Sequence, residues 1–311
     1  MCRHSDSKIK IILDTDIADD IDDAIALSFA LGSPEFELLG VTVVYGDVLT
    51  RARVARRICR LWGRADVPVV RGAERPMGFD WCPGTVPETC SQAAAVADDA
   101  EPVPRVPIAA DFIAETCRKY PQQVHVLTIG AITNVGAALC ADPSLAETMA
   151  SVVSLAGYMP PRLDRPEWNV RYDPIAAQSV ARSGVAWTAV PADVQGGNGL
   201  TPAEFAALAE SGREADAFLA ELIVLMKRNK GAGNPAIMTL ADVTSCHVAD
   251  VMTLASFLVG ERMGLTAGRL DVGPAGEMAF SPDPAGPHRL ATTALAEGAY
   301  RGEIIRRVLG R

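Results

Sequence analysis

Residues Ile11-Ile12-Leu13-Asp14-Thr15-Asp16-Ile17-Ala18-Asp19-Asp20-Ile21-Asp22-Asp23-Ala24 decide the fold. Residues 9–13 are apolar and rich in β-branched side chains, the pattern of a short strand buried on both faces. From Asp22 onward Ala24, Ile25, Leu27, Ala30 and Leu31 recur at helical spacing. A buried strand running through a tight turn into a helix opens a parallel α/β sheet. The turn itself carries six carboxylates in ten residues. One or two Asp at a helix start serve as caps and complement the helix dipole. Six repel one another unless a cation or a proton neutralises them. Oxygen-only donors suit a hard ion, Ca²⁺ or Mg²⁺, rather than zinc. Ligands of open α/β sheets lie at the carboxyl ends of the strands, where this cluster falls.

Outward from this point the alternation continues. The pattern predicts strands at 38–44, 67–70, 124–129, 151–155 and 186–190. Helices are predicted over 50–62, 108–119, 134–140 and 174–183, with two more starting at 202 and 213. The last third predicts a helix over 251–259, strands at 268–272 and 277–280, and a closing helix over 292–309. Residues 72–107, with six prolines, predict a long irregular excursion. The expected fold is an open, mostly parallel, twisted α/β sheet with helices on both faces. A single domain is expected to span 1–311, with residues 1–7 as a flexible tail.

Composition narrows the partners. With 29 Lys+Arg against 38 Asp+Glu the chain is net acidic by 29 − 38 = −9, which argues against nucleic acid and anionic membrane surfaces. No apolar run approaches the ~20 residues of a membrane span, and the start MCRHSDSK lacks the apolar core of an export signal. Seven scattered cysteines with no CxxC fit reduced thiols rather than a disulfide framework or zinc ribbon. A cytoplasmic location is expected.

Three metal-site readings compete for the acidic turn. An EF-hand requires an acidic residue at loop position 5, Gly at 6 and Glu at 12; counted from Asp14 these are Ala18, Asp19 and Ile25, so it fails. Strand-DxD, here Asp14 and Asp16, also opens haloacid-dehalogenase-like Mg²⁺-dependent phosphotransferases. Those enzymes usually carry Thr or Val where Ala18 stands, and no later Lys and acidic pair is evident.

The third reading rests on five segments in order. Asp14–Ala24 resembles the N-terminal signature of the nucleoside hydrolases in its longer form, DTDIGxDxDDA, with Ala18 in place of Gly. Thr42-Val43-Val44-Tyr45-Gly46-Asp47 resembles the family's TVxGN, with Asp47 for Asn. Gly130-Ala131-Ile132-Thr133-Asn134 resembles its GPLTN turn. Glu167-Trp168-Asn169 with Asp173-Pro174 and Ala176-Ala177 resembles EFN…DPxAA. Ala249-Asp250 resembles the late HD pair.

The resemblance implies a Ca²⁺-dependent N-ribohydrolase that cleaves a nucleoside or related riboside, working as a homodimer or homotetramer. It implies Asp16 as metal ligand and general base, and Asp23, the Thr133 carbonyl and Asp250 as further ligands, with Asp242 the alternative to Asp250. Asp22, Glu167, Asn169 and, with its changed chemistry, Asp47 would contact ribose. Asp14 would orient the ligands. Trp168 is the best placed aromatic for stacking on a base; Tyr45, Trp81, Tyr158 and Tyr172 are the others. Asp173-Pro174 reads as a helix cap with Pro at the first helical position.

Two departures bear on specificity. Members that favour purine or general ribonucleosides often place His directly before the late Asp as leaving-group acid; here Ala249 stands there and His247 is the candidate acid. The family's Asn for the ribose 5′-hydroxyl is Pro161 here. They also motivate a non-catalytic reading, a metal-dependent nucleoside-binding protein.

Overall fold

The computed structural model describes residues 8–78, 90–106, 108–230 and 239–311. Nine strands form one sheet in the order β3-β2-β1-β4-β5-β6-β9-β7-β8. They are β1 Ile9–Thr15, β2 Phe36–Val43, β3 Val69–Arg71, β4 Val124–Thr128, β5 Ser151–Leu155, β6 Trp187–Val190, β7 Leu265–Val272, β8 Met278–Pro282 and β9 His288–Ala291. Pairings from β3 through β9 are parallel, and β7 alone runs against its neighbours.

The helices are α1 Asp22–Leu31, α2 Val48–Leu61, α3 Ala109–Lys119, α4 Thr133–Ala141, α5 Leu145–Thr148, α6 Trp168–Tyr172, α7 Pro174–Arg182, α8 Pro202–Glu210, α9 Glu214–Lys230, α10 Val251–Val259 and α11 Arg301–Val308. They cover both faces, as the pleat of β1 shows. Ile11 and Leu13 enter a core with α1, α2, α9, α10 and α11, whereas Ile12 enters a second core with α3, α4 and α7. The chain leaves β1 outward to β2 and β3, then returns to pair β4 on the other side of β1. That reversal opens the crevice in which such sheets bind ligands.

Three expectations need correction. The helix over 292–309 is only α11, preceded by strand β9. Residues 292–300 are kept from helix by tertiary bonds: Leu295 N–H donates to the Val194 carbonyl (3.0 Å), Tyr300 N–H to Asn198 Oδ1 (2.7 Å), and Asn198 Nδ2 to the Ala296 carbonyl (3.0 Å). The excursion over 72–107 is partly ordered core: a 3₁₀ turn at Ala93–Val96 buries Ala95 and Val96 beside buried Cys90. Trp81 and Cys82 lie outside the described residues. The short helix α6, inside the EWN segment, was not expected. Cys59, Cys90, Cys117, Cys140 and Cys246 are free thiols, and among the described residues no helix is long and apolar enough to cross a membrane.

Helix α11 buttresses α1, whose first turn carries Asp22 and Asp23. Arg307 makes a bidentate pair with Glu35 (2.6 and 2.9 Å), bonds Glu303 (2.6 Å), and lies 5.3 Å from the Phe29 ring centre. Hydrogen bonds from Arg306 and Arg307 hold the Glu303 carboxyl down at about 2 against an ordinary 4.5, and Glu35 is lowered by Arg307. A carboxyl lowered on folding contributes stability above its ordinary value and loses it as pH falls through the folded one. Both are largely solvated, so the effect is small. Arg307→Met should lower the urea midpoint near neutrality, and the gap from wild type should close between pH 4.5 and about 2. A gap constant with pH would contradict this account.

Candidate active site

Carboxyl ends of β1, β2, β4, β5 and β6 converge on a cavity of about 810 Å³, within the usual range for small-molecule sites. Asp16 follows β1, Tyr45 follows β2, Ile129 ends β4, Glu167 to Asn169 follow β5, and Gln195 follows β6. Asp250 comes from far along the chain as the N-cap of α10, which packs on α1. Oxygens of Asp22, Asp23 and Asp250 lie within 4.8 Å of one another. Two helix N-termini, of α1 and α10, therefore point their positive dipole ends at one cluster of carboxylates.

Burial and mutual repulsion govern this cluster. Asp23 and Asp250 are pushed well above the ordinary carboxylate range, first by burial and then by neighbouring Asp16 and Asp22. Asp16 rises to about 6 because burial, with Asp19 and Asp20, outweighs the opposing pull of Arg51. Glu167 rises to about 7 through burial, despite backbone N–H bonds to its carboxylate. Its Oε1 accepts from Asn169 N–H (3.0 Å), and Oε2 is buried with no partner among the described residues. Such a group of buried, crowded, underbonded oxygens fits a hard divalent cation, which would replace the missing positive charge.

Local chemistry dictates the turn's path. Thr15 Oγ1 donates to Asp23 Oδ1 (2.5 Å) and accepts from Ile17 N–H (3.1 Å). Ala18 takes φ +94°, a left-handed conformation that costs an L-residue roughly 1–2 kcal/mol. This is the position where the family motif has Gly. The conformation is held from outside: Gln92 N–H donates to the Ala18 carbonyl (2.9 Å), and Ser91 binds Asp19 through N–H (2.9 Å) and Oγ (2.6 Å). Gly130 is required by close approach, since a Cβ there would meet Asp16 N at 2.7 Å and Asp16 Oδ1 at 2.9 Å.

Sequence reasoning missed Arg51. It is 1% exposed on α2. It donates to the backbone carbonyls of Tyr45 (2.5 Å), Asp16 and Ile17 (2.7 Å), and to Asp19 Oδ2 (2.6 Å). Its guanidinium lies 5.1 Å from the Tyr45 ring centre. The available signal was an Arg three residues before Val54 and seven before Ile58, on the apolar stripe of its helix.

The structure brings Asp16, Asp22, Asp23, Glu167, Trp168, Asn169, His247 and Asp250 to one cavity. Trp168 stands edge-on to Tyr45, ring centres 6.0 Å apart. Four other expected residues sit behind or beside the wall. Asp14 is fully buried, its Oδ1 accepting from Thr42 Oγ1 (2.5 Å) and Asn134 Nδ2 (2.7 Å). Burial pushes it up to about 7. Asp47 caps α2, accepting from Thr50 N–H (3.0 Å) and Oγ1 (2.6 Å), and does not line the cavity. Thr133 begins α4 and donates its hydroxyl to Asp173 (2.8 Å); Asp173 caps α7 as expected. Asp242 caps an exposed 3₁₀ turn away from the cluster, which leaves Asp250 as the late carboxylate.

Comparison with known proteins agrees with this geometry. A model of the inosine-uridine preferring nucleoside hydrolases matches residues 11–301. The chain belongs to that family. Uridine nucleosidase 1 of Arabidopsis thaliana is 34% identical over 193 residues, 58% of this chain and 55% of that protein. The pyrimidine-specific ribonucleoside hydrolase RihA of Klebsiella pneumoniae is 29% identical over 211 residues, 65% and 67% of the two chains. The structure of a purine-preferring ribonucleoside hydrolase from Gardnerella vaginalis superposes with a TM-score of 0.76 at 26% identity, covering 97% of this chain and 98% of that one. The chain spans 47–62% of the length of the first four curated relatives it matches. Family membership displaces the phosphotransferase reading, and so does geometry: Asp14, its nucleophile, has no access to solvent.

Arg51 ties β2 and α2 to the acidic turn, so Arg51→Met should destabilise by ~3–5 kcal/mol, the cost of removing one partner from a buried charge network. Arg51→Lys should not restore it, because one ammonium cannot bridge three carbonyls and a carboxylate. Denaturant midpoints decide it; wild-type stability in the lysine variant would refute the bridging role.

Proposed function

We propose that the chain hydrolyses the N-glycosidic bond of a ribonucleoside, releasing ribose and free base, with Ca²⁺ held by the carboxylate cluster. The observation that carries this reading is the pairing of two unlike sets of oxygens in one cavity. One set, around Asp22, Asp23 and Asp250, is crowded and calls for a cation. The other, on Glu167 and Asn169, is spaced along one short helix start and calls for hydroxyl donors.

Asn169 supports the ribose assignment in detail. Both hydrogens of its amide are spent on the backbone carbonyls of Ile129 (3.0 Å) and Leu155 (3.3 Å). Its Oδ1 faces away from those bonds and can only accept, and the buried unpartnered Oε2 of Glu167 accepts when the carboxyl is ionised. Two fixed acceptors suit sugar hydroxyls, which donate. Asp22, beside the cluster, supplies a third. Asp23 and Asp250 would hold the cation with Asp16 and the Thr133 carbonyl. When bound, the cation lowers the pKa of the attacking water and draws the ribose hydroxyls into register.

Asp16 takes the proton from the attacking water as the water adds to the anomeric carbon. Trp168 and Tyr45 present an aromatic wall on which the base can stack, worth ~1–3 kcal/mol in comparable contacts.

Incubating the protein with purine, pyrimidine and 5′-modified nucleosides, and measuring free ribose, tests the reading directly. Ribose is expected from at least one. No release from any of them, with nucleoside binding retained, would favour the non-catalytic reading instead. EGTA should abolish turnover and Ca²⁺ should restore it better than Mg²⁺.

Two further outcomes follow from the named residues. Asp16→Ala should lower kcat by at least ~10²–10⁴-fold, the usual worth of a positioned base. A 2′-deoxyribonucleoside leaves buried acceptors unpaired and should lose ~10⁴-fold in kcat/KM; comparable values for ribo- and deoxyribonucleosides would refute the grip assigned to Asp22, Glu167 and Asn169.

A further inference from the structure

We propose that Gln195 is a positioning residue that fixes His247 as its Nε2–H tautomer, so that His247 serves the departing base as a neutral hydrogen-bond donor and not as an imidazolium acid. The tautomer follows from geometry alone; the role toward the base rests on the hydrolase reading.

The argument starts at a backbone N–H. Val248 N–H donates to Gln195 Oε1 at 3.0 Å. A backbone N–H can only donate, so the atom facing it must be the carboxamide oxygen, and the amide cannot be turned over. The other end of the amide, Nε2, lies 3.2 Å from His247 Nδ1. Nε2 also can only donate. His247 Nδ1 is therefore the acceptor, because a proton there would set two donors face to face. In the neutral ring the hydrogen sits on Nε2. Among the described residues Nε2 has no partner, and His247 lines the cavity.

Gln195 is well placed to impose this choice. It ends the 3₁₀ turn Ala192–Gln195 that follows β6. The next residue, Gly196, has φ +54°, and a Cβ there would meet the Leu295 carbonyl oxygen at 2.3 Å. The Gln195 carbonyl accepts from Asn198 N–H (3.2 Å) and Nδ2 (2.8 Å). One rigid turn thus fixes the amide, the amide fixes the ring, and the same amide fixes the backbone two residues before Asp250. Arg162, which lines the cavity after β5, is already paired with Asp193 at 2.5 Å.

A neutral imidazole does not surrender its Nε2 proton near neutral pH; it lends a hydrogen bond, as neutral histidine does elsewhere in enzymes. When the C1′–N bond breaks, its electron pair leaves with the base. The water gives its hydroxyl to C1′ and its proton to Asp16. The base, hydrogen-bonded by Nε2–H, takes its proton from solvent, and His247 ends as it began. The donor is worth most when charge on the base is largest, as with ordinary purines and pyrimidines, and least with a good leaving group such as p-nitrophenolate.

The tautomer is read by ¹⁵N–¹H NMR of the imidazole rings at mildly alkaline pH, with His247→Asn to assign the signals. Nε2 should show the protonated-nitrogen shift and Nδ1 the unprotonated one. Gln195→Glu keeps the bond to Val248 N–H but sets a carboxylate oxygen against Nδ1, and the proton should move there. In kinetics, Gln195→Glu and His247→Asn should each lower kcat on natural ribonucleosides by ~10²–10³-fold, as removal of one donor to a developing anion does. KM should change little, and the loss on p-nitrophenyl riboside should be far smaller. An Nδ1–H tautomer in the wild type, or an unmoved proton in Gln195→Glu, would overturn the positioning role. Equal losses on the two kinds of substrate would overturn the donor role. The NMR result needs no turnover, so it stands or falls apart from the hydrolase reading.

Discussion

Everything at this site depends on keeping several carboxylates together where water is scarce. Asp14, Asp23 and Asp250 are buried, and Asp16 lies among them. Like charges in a medium of low polarity repel strongly, and burial by itself favours their neutral forms. The fold supplies three partial remedies. Two helix N-termini face the cluster. Hydroxyl and amide donors, from Thr15, Thr42 and Asn134, bind carboxylate oxygens on the protein side. Arg51 sets one permanent positive charge behind the turn. These remedies act from the protein side of the cluster, on oxygens of Asp14, Asp19 and Asp23, and not from the cavity. That asymmetry makes the place a cation site and not a structural salt-bridge cluster.

The same constraint explains why segments distant in sequence converge on ten residues. A turn of this charge does not hold its shape unaided, and Ala18 sits in a conformation that a side chain disfavours. Arg51 from α2, Ser91 and Gln92 from the segment before the 3₁₀ turn, and Asn134 from α4 each bond to it or to its neighbours. Gln92 reaches further, to the Leu222 carbonyl of α9 (3.3 Å), and Asn229 of α9 binds Ser91 (2.5 Å). The turn is thereby joined to α9, whose Met226 and Lys227 line the opposite wall of the cavity. Site geometry and tertiary packing are carried by the same bonds here, so perturbing one perturbs the other.

Much of the fold was legible because buried parallel strands and amphipathic helices announce themselves locally. Helix α1, strand β5 and helix α10 begin and end where periodicity places them. What was not legible was decided by distant partners. Residues 292–300 have the Ala-rich composition of a helix, yet their backbone groups are taken by Val194, Asn198 and Met263. The acidic turn declared a cation by charge count alone. The proposed ribose contacts and the late carboxylate needed the family resemblance, since nothing in the spacing of Glu167 or Asp250 from Asp16 shows that they meet. Arg51 and Gln195 were missed because their bonds go to backbone atoms and to side chains distant in sequence, which leave no mark in residue type.

The departures from the family motifs fall unevenly, and physics explains where they are tolerated. Glu167 and Asn169 are buried; the Asn169 amide is tied to the carbonyls of Ile129 after β4 and Leu155 of β5, and Glu167 Oε1 accepts from Asn169 N–H. Changing either would leave unsatisfied groups in the sheet's interior, at a cost of about 1–3 kcal/mol each. The base side is built otherwise. His247 is exposed, Gln195 and Lys227 are half-buried, and they sit on a turn, a loop and a helix end around the cavity rim. Ala249 can therefore replace the usual histidine while, in the proposed reading, a ring three residues before Asp250 takes a donor's place. In the proposed reading the sugar is gripped by buried residues of the fold, whereas His247 and Lys227, on the base side, stand exposed or half-buried at the rim.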